Sequence, residues 1–141
     1  MDMRIGEKMP AKTLLLAVAI ALGLPLLTGS ALAQDRWAAI VPNHENSSTV
    51  VWATSQDQAR RLAIDACKHV SDTCASRPAS TNGMNNYFAV MCCTKPNEGC
   101  AVGVATSKSK ALKEVKSTFS DAGFSNCSLK SYIKAGTGRK S

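Results

Sequence analysis

A capped, amphipathic pattern occurs twice in this chain, and it narrows the possible folds more than any other feature. Ala53-Thr54-Ser55 leads into a run ending at Val70 and then Cys74; Ala105-Thr106-Ser107 leads into a run ending at Ala122 and then Cys127. In the first run Ala59, Leu62, Ala63, Ala66, Cys67 and Val70 fall on one helical stripe, and Asp57, Arg61, Asp65 and His69 alternate in sign four apart, as a solvated face does. Ser55 with Gln58 forms a capping box, and Thr54 with Asp57 offers a second register for the cap. In the second run Ala111, Val115, Phe119 and Ala122 repeat the stripe, Thr106 or Ser107 supplies the cap, and Gly123 stands where a C′ residue would end the helix.

Each helix follows two short β-prone runs. Trp37–Val41 and Thr49–Ala53 flank the turn-forming stretch Pro42–Ser48, and Tyr87–Cys93 and Cys100–Ala105 flank Thr94–Gly99. Apolar residues on both faces of these strands imply a sheet that is covered rather than half-solvated. A third strand is expected after each helix. One begins at Cys74 and is ended by Pro78, before a loop to Asn86. The other runs on from Cys127, with Leu129 and Ile133 on one side and Lys130, Tyr132 and Lys134 on the other. The expected fold is α+β: two ββαβ repeats, about 34–80 and 87–135, forming an antiparallel sheet with two helices packed on it. Residues 34–135 make one domain, and 136–141 read as a basic, frayed tail.

The first 33 residues belong to targeting rather than to the fold. Arg4, Lys8 and Lys12 precede the apolar run Leu14–Leu27, and Ser30-Ala31-Leu32-Ala33 ends in the small-x-small pattern of a signal cleavage site, giving a cut between Ala33 and Gln34. The apolar run is short for a membrane span, so none is expected after cleavage. No cysteine lies at the cut, which argues against a lipid anchor. Removal of residues 1–33 takes the formal charge only from +7 to +6, so the basic character belongs to the exported domain.

All six cysteines, Cys67, Cys74, Cys92, Cys93, Cys100 and Cys127, lie in that domain. An even count in a small exported chain reads as a disulfide framework, each bridge contributing about 2–4 kcal/mol. The pairing expected is Cys67–Cys74 from helix end to next strand, Cys93–Cys100 closing the second hairpin, and Cys92–Cys127. A metal reading fails on spacing, since Cys92-Cys93 followed by Cys100 lacks the paired spacing of zinc sites and only His44 and His69 could add ligands. The C-x-x-C motif of thiol exchange is absent.

The tandem W-x-A-I strand, turn, strand and the helix carrying S-x-x-x-A-x-x-x-A-x-x-x-C resemble the domain-of-unknown-function family 4189. The match runs through Trp37-Ala38-Ala39-Ile40, Ser55, Ala59, Ala63, Cys67 and Cys74, echoed by Phe88-Ala89-Val90, Ala105-Thr106, Ala111 and Cys127. The chain departs from the pattern at Phe119, where the first helix has Cys67, and in the concentration of Cys92, Cys93 and Cys100 around the second hairpin. The resemblance implies a small exported bacterial domain without an established enzymatic activity.

Nothing in the sequence makes a catalytic motif: G-x-S-x-G and H-E-x-x-H are both absent, and no cofactor signature is present. Charge is the more informative feature. Lys108, Lys110, Lys113 and Lys116 crowd the second helix around its Thr106-Ser107 start, with Glu114 the first acid. A lysine-flanked helix N-terminus can hold an anion, and a soluble lysine face is the plainer reading of the same residues. Nucleic acid is not expected as a partner of an exported chain with so few aromatic residues. The function expected is non-catalytic binding of a protein or an anionic envelope component in the periplasm or outside the cell. The alternatives are a small thiol-redox or hydrolytic enzyme, and a secreted effector or inhibitor acting on another cell. Asn46-Ser47-Ser48 and Asn126-Cys127-Ser128 fit the glycosylation sequon.

Overall fold

The stripes and alternations above become four layers. A computed structural model describes residues 36–141, so the export signal expected over 1–33 and its cut at Ala33–Gln34 lie outside the described residues. The elements are β1 (Trp37–Ile40), β2 (Val51–Ala53), α1 (Gln56–Lys68), β3 (Ala79–Thr81), β4 (Tyr87–Lys95), β5 (Gly99–Ala105), α2 (Lys108–Asp121) and β6 (Ser125–Lys134). They form an α+β fold with two antiparallel three-stranded sheets, ordered β2-β1-β3 and β5-β4-β6.

Two sheets replace the single one expected because each central strand is apolar on both faces. In β1, Ala38 and Ile40 point one way and Ala39 points the other; in β4, Phe88 and Val90 oppose Ala89, Met91 and Cys93. Ala38, Ile40, Phe88, Val90 and Ile133 meet between the sheets. Ala39 and Val41 take the Ala59, Ala63 and Cys67 stripe of α1, and Ala89, Met91 and Cys93 take Ala111, Val115 and Phe119 of α2. The α1 stripe is narrower than its periodicity suggests, since Leu62 and Val70 are 41% and 54% exposed.

Both helix starts match the sequence. Ser55 accepts from the Gln58 amide and Ser107 from the Lys110 amide, each at 3.3 Å. Gly123, at φ +75°, ends α2 in a Schellman turn: the Phe124 amide donates to Phe119 O, the Gly123 amide to Ser120 O, and the two phenyl rings meet edge-on at 5.4 Å. The third strand of the first half lies at Ala79–Thr81, beyond Pro78, rather than at Cys74. Proline has no amide to donate, so pairing with β1 begins after it.

The disulfides are Cys67–Cys74, Cys92–Cys100 and Cys93–Cys127. The first is as expected, and the other two exchange partners relative to the expectation. Register is the cause. Cys92 lies directly opposite Cys100 on β5, which leaves Gly99 opposite Cys93. On the other side, β6 slips by one residue at Lys130, between the pairs Val90–Ser131 and Met91–Leu129. Unbroken alternation would have put Cys127 on the Ile133 face, with Cys92. The bulge turns it to the opposite face, directly across from Cys93. The same slip separates Leu129 from Ile133, leaving Leu129 38% exposed and Ile133 buried.

Residues 136–141 are not frayed. The Tyr132 and Ser141 amides exchange bonds with each other's carbonyls, the Lys134 amide donates to Arg139 O, and the Lys140 ammonium donates to Asn46 O. Gly138, at φ +67°, makes the turn beneath Trp52, whose Nε1 donates to Ala135 O at 2.9 Å. The returning tail thereby covers part of the β6 edge.

Close packing of α2 depends on Gly103. A Cβ there would lie 2.0 Å from Ala111 O and 2.8 Å from Val115 N, both backbone atoms. Gly103→Val is therefore expected to force the helix off the sheet and to cost about 1–3 kcal/mol or more in denaturant unfolding; a variant as stable as the parent would contradict this packing.

Candidate functional site

Two surfaces concentrate polar chemistry. The first surrounds the start of α2. Thr106 is exposed ahead of the Ser107 cap, and no acid occupies the first turn. The cap satisfies the Lys110 amide, while the amides of Lys108 and Ser109 lie in the turn that has no intrahelical acceptors. The Lys108 ammonium lies 5.5 Å from the Tyr132 ring and 5.9 Å from the Tyr87 ring, and the Lys134 ammonium lies 4.4 Å from Tyr87. These groups meet because Tyr87 faces Lys134 across the β4–β6 ladder and Tyr132 lies on the same sheet face, opposite Ala89.

The other lysines do not converge on that point. Lys110 and Lys113 flank a shallow groove with Glu114, Ser117, Thr118 and Asp121. Lys116 borders a different groove, formed with Met91, Phe119, Phe124 and Cys127. The expected four-lysine cluster is thus a basic band along the exposed side of α2. Lys134 and the two tyrosines, which sequence reasoning did not include, complete its start. Lys134 stands 26 positions from Lys108 in sequence, so only the β6 register connects them. Glu114 turns instead to the sheet, accepting from the Val104 amide at 3.3 Å and capping the open edge of β5.

The second surface is a cleft of about 430 Å³ at the rim where the first hairpin's turn meets the start of β5. His44, Thr73, Cys74, Ala75, Ser76, Glu98, Gly99 and Cys100 line it. Buried Asn43 shapes the turn: its Oδ1 accepts from the Ser47 amide, its Nδ2 donates to Ser47 Oγ, and its carbonyl accepts from the Asn46 amide. The His44 amide donates to Thr73 Oγ1 at 3.2 Å, tying this turn to the segment after α1. So held, the His44 imidazole lies beside the Cys92–Cys100 bridge, all three ligating atoms within 4.8 Å of one another. Local cysteine spacing cannot reveal this triad, because His44 is 48 residues from Cys92.

His69 caps the C-terminus of α1, is exposed and does not line that cleft. The sequon at Asn46 is engaged in the fold: its Oδ1 accepts from Ser131 Oγ at 2.9 Å and its Nδ2 reaches Lys130 O. The second sequon contains Cys127, already bridged to Cys93. No family model, curated protein or solved structure matches the chain.

Electrostatics at the cleft's margin are set by hydrogen bonds. Thr73 Oγ1 and Ser71 Oγ donate to Glu45 Oε2 at 2.6 and 2.7 Å. Those hydroxyls, Thr73 first, hold the Glu45 carboxyl below the ordinary carboxylate value, and neighbouring His44 adds to the effect. A carboxyl depressed in the folded state adds stability that is complete above its unfolded value and is lost as pH falls through the folded one. The protection factors of the Ser71–Thr73 amides, measured against their intrinsic exchange rates, should therefore fall below the ordinary carboxylate range, and Glu45→Gln should abolish that fall; a pH dependence unchanged in the variant would contradict the assignment.

Proposed function

We propose that this chain is an exported, non-catalytic binding domain that engages a polyanionic partner, such as an anionic envelope polymer or the acidic face of a protein, through the basic band of α2. The observation that carries the reading is the convergence of Lys108 and Lys134 on Tyr87 and Tyr132 at a helix start without an acid. Helix N-termini favour negative charge, so cations collected there oppose the dipole unless an anion joins them. The spread of Lys110, Lys113 and Lys116 along the exposed side suits an extended polyanion better than one small ion.

Compartment supports the same reading. Three disulfides belong to an oxidising environment, and no helix among the described residues is long and apolar enough to cross a membrane. The apolar run and small-x-small site over residues 1–33 supply the export route. The two halves share strand order and cap placement, which supports reading them as copies of one unit. The resemblance to family 4189 fits such a domain. On this reading the first copy is neutral and the second, having gained lysines, carries the function.

Charge at an anionic surface contributes about 1 kcal/mol per lysine at moderate salt. Replacing Lys108, Lys110, Lys113 and Lys116 together by Gln is expected to weaken binding of a polyanion such as heparin or lipoteichoic acid by about two to three orders of magnitude at low salt. Lys134→Gln should add to the loss. Binding that stays salt-dependent and undiminished in the fourfold variant would move the site elsewhere.

A further inference from the structure

We propose that His44, Cys92 and Cys100 form a latent site for a thiophilic d10 metal ion, Zn²⁺ or Cu⁺, which opens when the Cys92–Cys100 bridge is reduced by a dithiol. This site is separate from the basic band of α2 and does not depend on it.

Geometry carries the inference. Three candidate ligands from three segments, the turn after β1, the centre of β4 and the start of β5, already bring their donor atoms within 4.8 Å of one another. Two thiolates bound to zinc at about 2.3 Å in a tetrahedron stand about 3.8 Å apart. Side-chain rotation alone can supply that adjustment, because Cys92 and Cys100 face each other on paired strands whether or not their sulfurs are joined. The remaining bridges, Cys67–Cys74 and Cys93–Cys127, lie outside the triad. Together with the ladder from Tyr87–Ala105 to Cys93–Gly99, they keep the framework in register after reduction.

The surroundings also suit a metal. Cys92 is buried beneath the cleft, whereas His44 and Cys100 line it, so two ligands face an opening through which an ion can enter. The turn that carries His44 is fixed by Asn43 and by the bond from the His44 amide to Thr73, so the backbone bearing the imidazole is already in place beside the cysteines. Two thiolates and one neutral imidazole leave zinc a fourth position open to the cleft, for water or an incoming ligand.

A thiolate of the dithiol attacks the accessible Cys100 sulfur, the Cys92–Cys100 bond breaks, and Cys92 leaves as a thiolate. The second thiol of the reductant displaces Cys100 and departs as its own disulfide, having supplied two electrons. On binding, the ion replaces two thiol protons, which go to solvent, and Zn²⁺ with two thiolates is electrically neutral. Disulfide and metal site are thus mutually exclusive states of one pair of cysteines.

The test uses the full exported domain, reduced with limiting dithiol, freed of it without air, and titrated with Co²⁺ and then Zn²⁺ alone. One Co²⁺ per chain with a thiolate charge-transfer band, displaced by Zn²⁺, is expected, with none bound by the oxidised protein. Alkylation mapping should show Cys92 and Cys100 protected by zinc. His44→Ala leaves every bridge intact in the oxidised fold, and should lower affinity at least by the ten- to hundredfold that loss of an outer-shell partner costs. Parental affinity in His44→Ala, protection of Cys93 and Cys127 or of Cys67 and Cys74 instead, or unfolding before the Cys92–Cys100 bridge opens would each overturn the proposal.

Discussion

Strand β4 has no solvent face over its first seven residues beyond Tyr87's rim, and the domain is built around that constraint. Phe88, Val90 and Cys92 must be covered on one side, Ala89, Met91 and Cys93 on the other. The β2-β1-β3 sheet covers Phe88 and Val90, the turn after β1 covers Cys92, and α2 covers the second set. Small residues set how closely the covers approach: Gly103 admits the backbone of α2, and Ala38, Ala39 and Ala89 sit fully buried between layers. With few aromatic side chains available, burial of each layer is thin, and three covalent bridges add what a small core lacks.

The adjacent cysteines obey the same alternation. Because neighbours on a strand point to opposite faces, Cys92 and Cys93 cannot serve one layer. Cys92 ties β4 to β5 on the face turned to the other sheet, and Cys93 ties β4 to β6 on the face turned to α2. One extra residue on β6, Lys130, decides the second pairing.

Much of this was legible in the residues. Both helices, their starts to within one residue, the glycine stop at Gly123 and the two-faced strands followed from spacing and local chemistry, which are short-range; the structure selects Ser55 over Thr54 and Ser107 over Thr106 as the caps. What could not be read was long-range. The bulge at Lys130 has no glycine or proline to announce it. The folded tail depends on Trp52 and Asn46 more than 80 positions away. His44 meets Cys92 and Cys100 only because the first hairpin's turn packs against the second hairpin. The basic band was visible on α2, but its tyrosine–lysine start required the pairing of β4 with β6. The two candidate surfaces therefore differ in legibility: a charged helix written in one stretch, and a histidine–disulfide cleft assembled from three.

The bulge in β6 assigns Cys127 to the face of Cys93, and the second and third disulfides depend on it. Paired cysteine replacements test it by thiol count. Cys92→Ser with Cys100→Ser should leave Cys93 and Cys127 bridged and no free thiol in the folded chain. Cys93→Ser with Cys100→Ser should strand Cys92 and Cys127 on opposite faces of the sheet, leaving two free thiols. A folded Cys93→Ser/Cys100→Ser variant with no free thiol and a Cys92–Cys127 bridge would contradict the account.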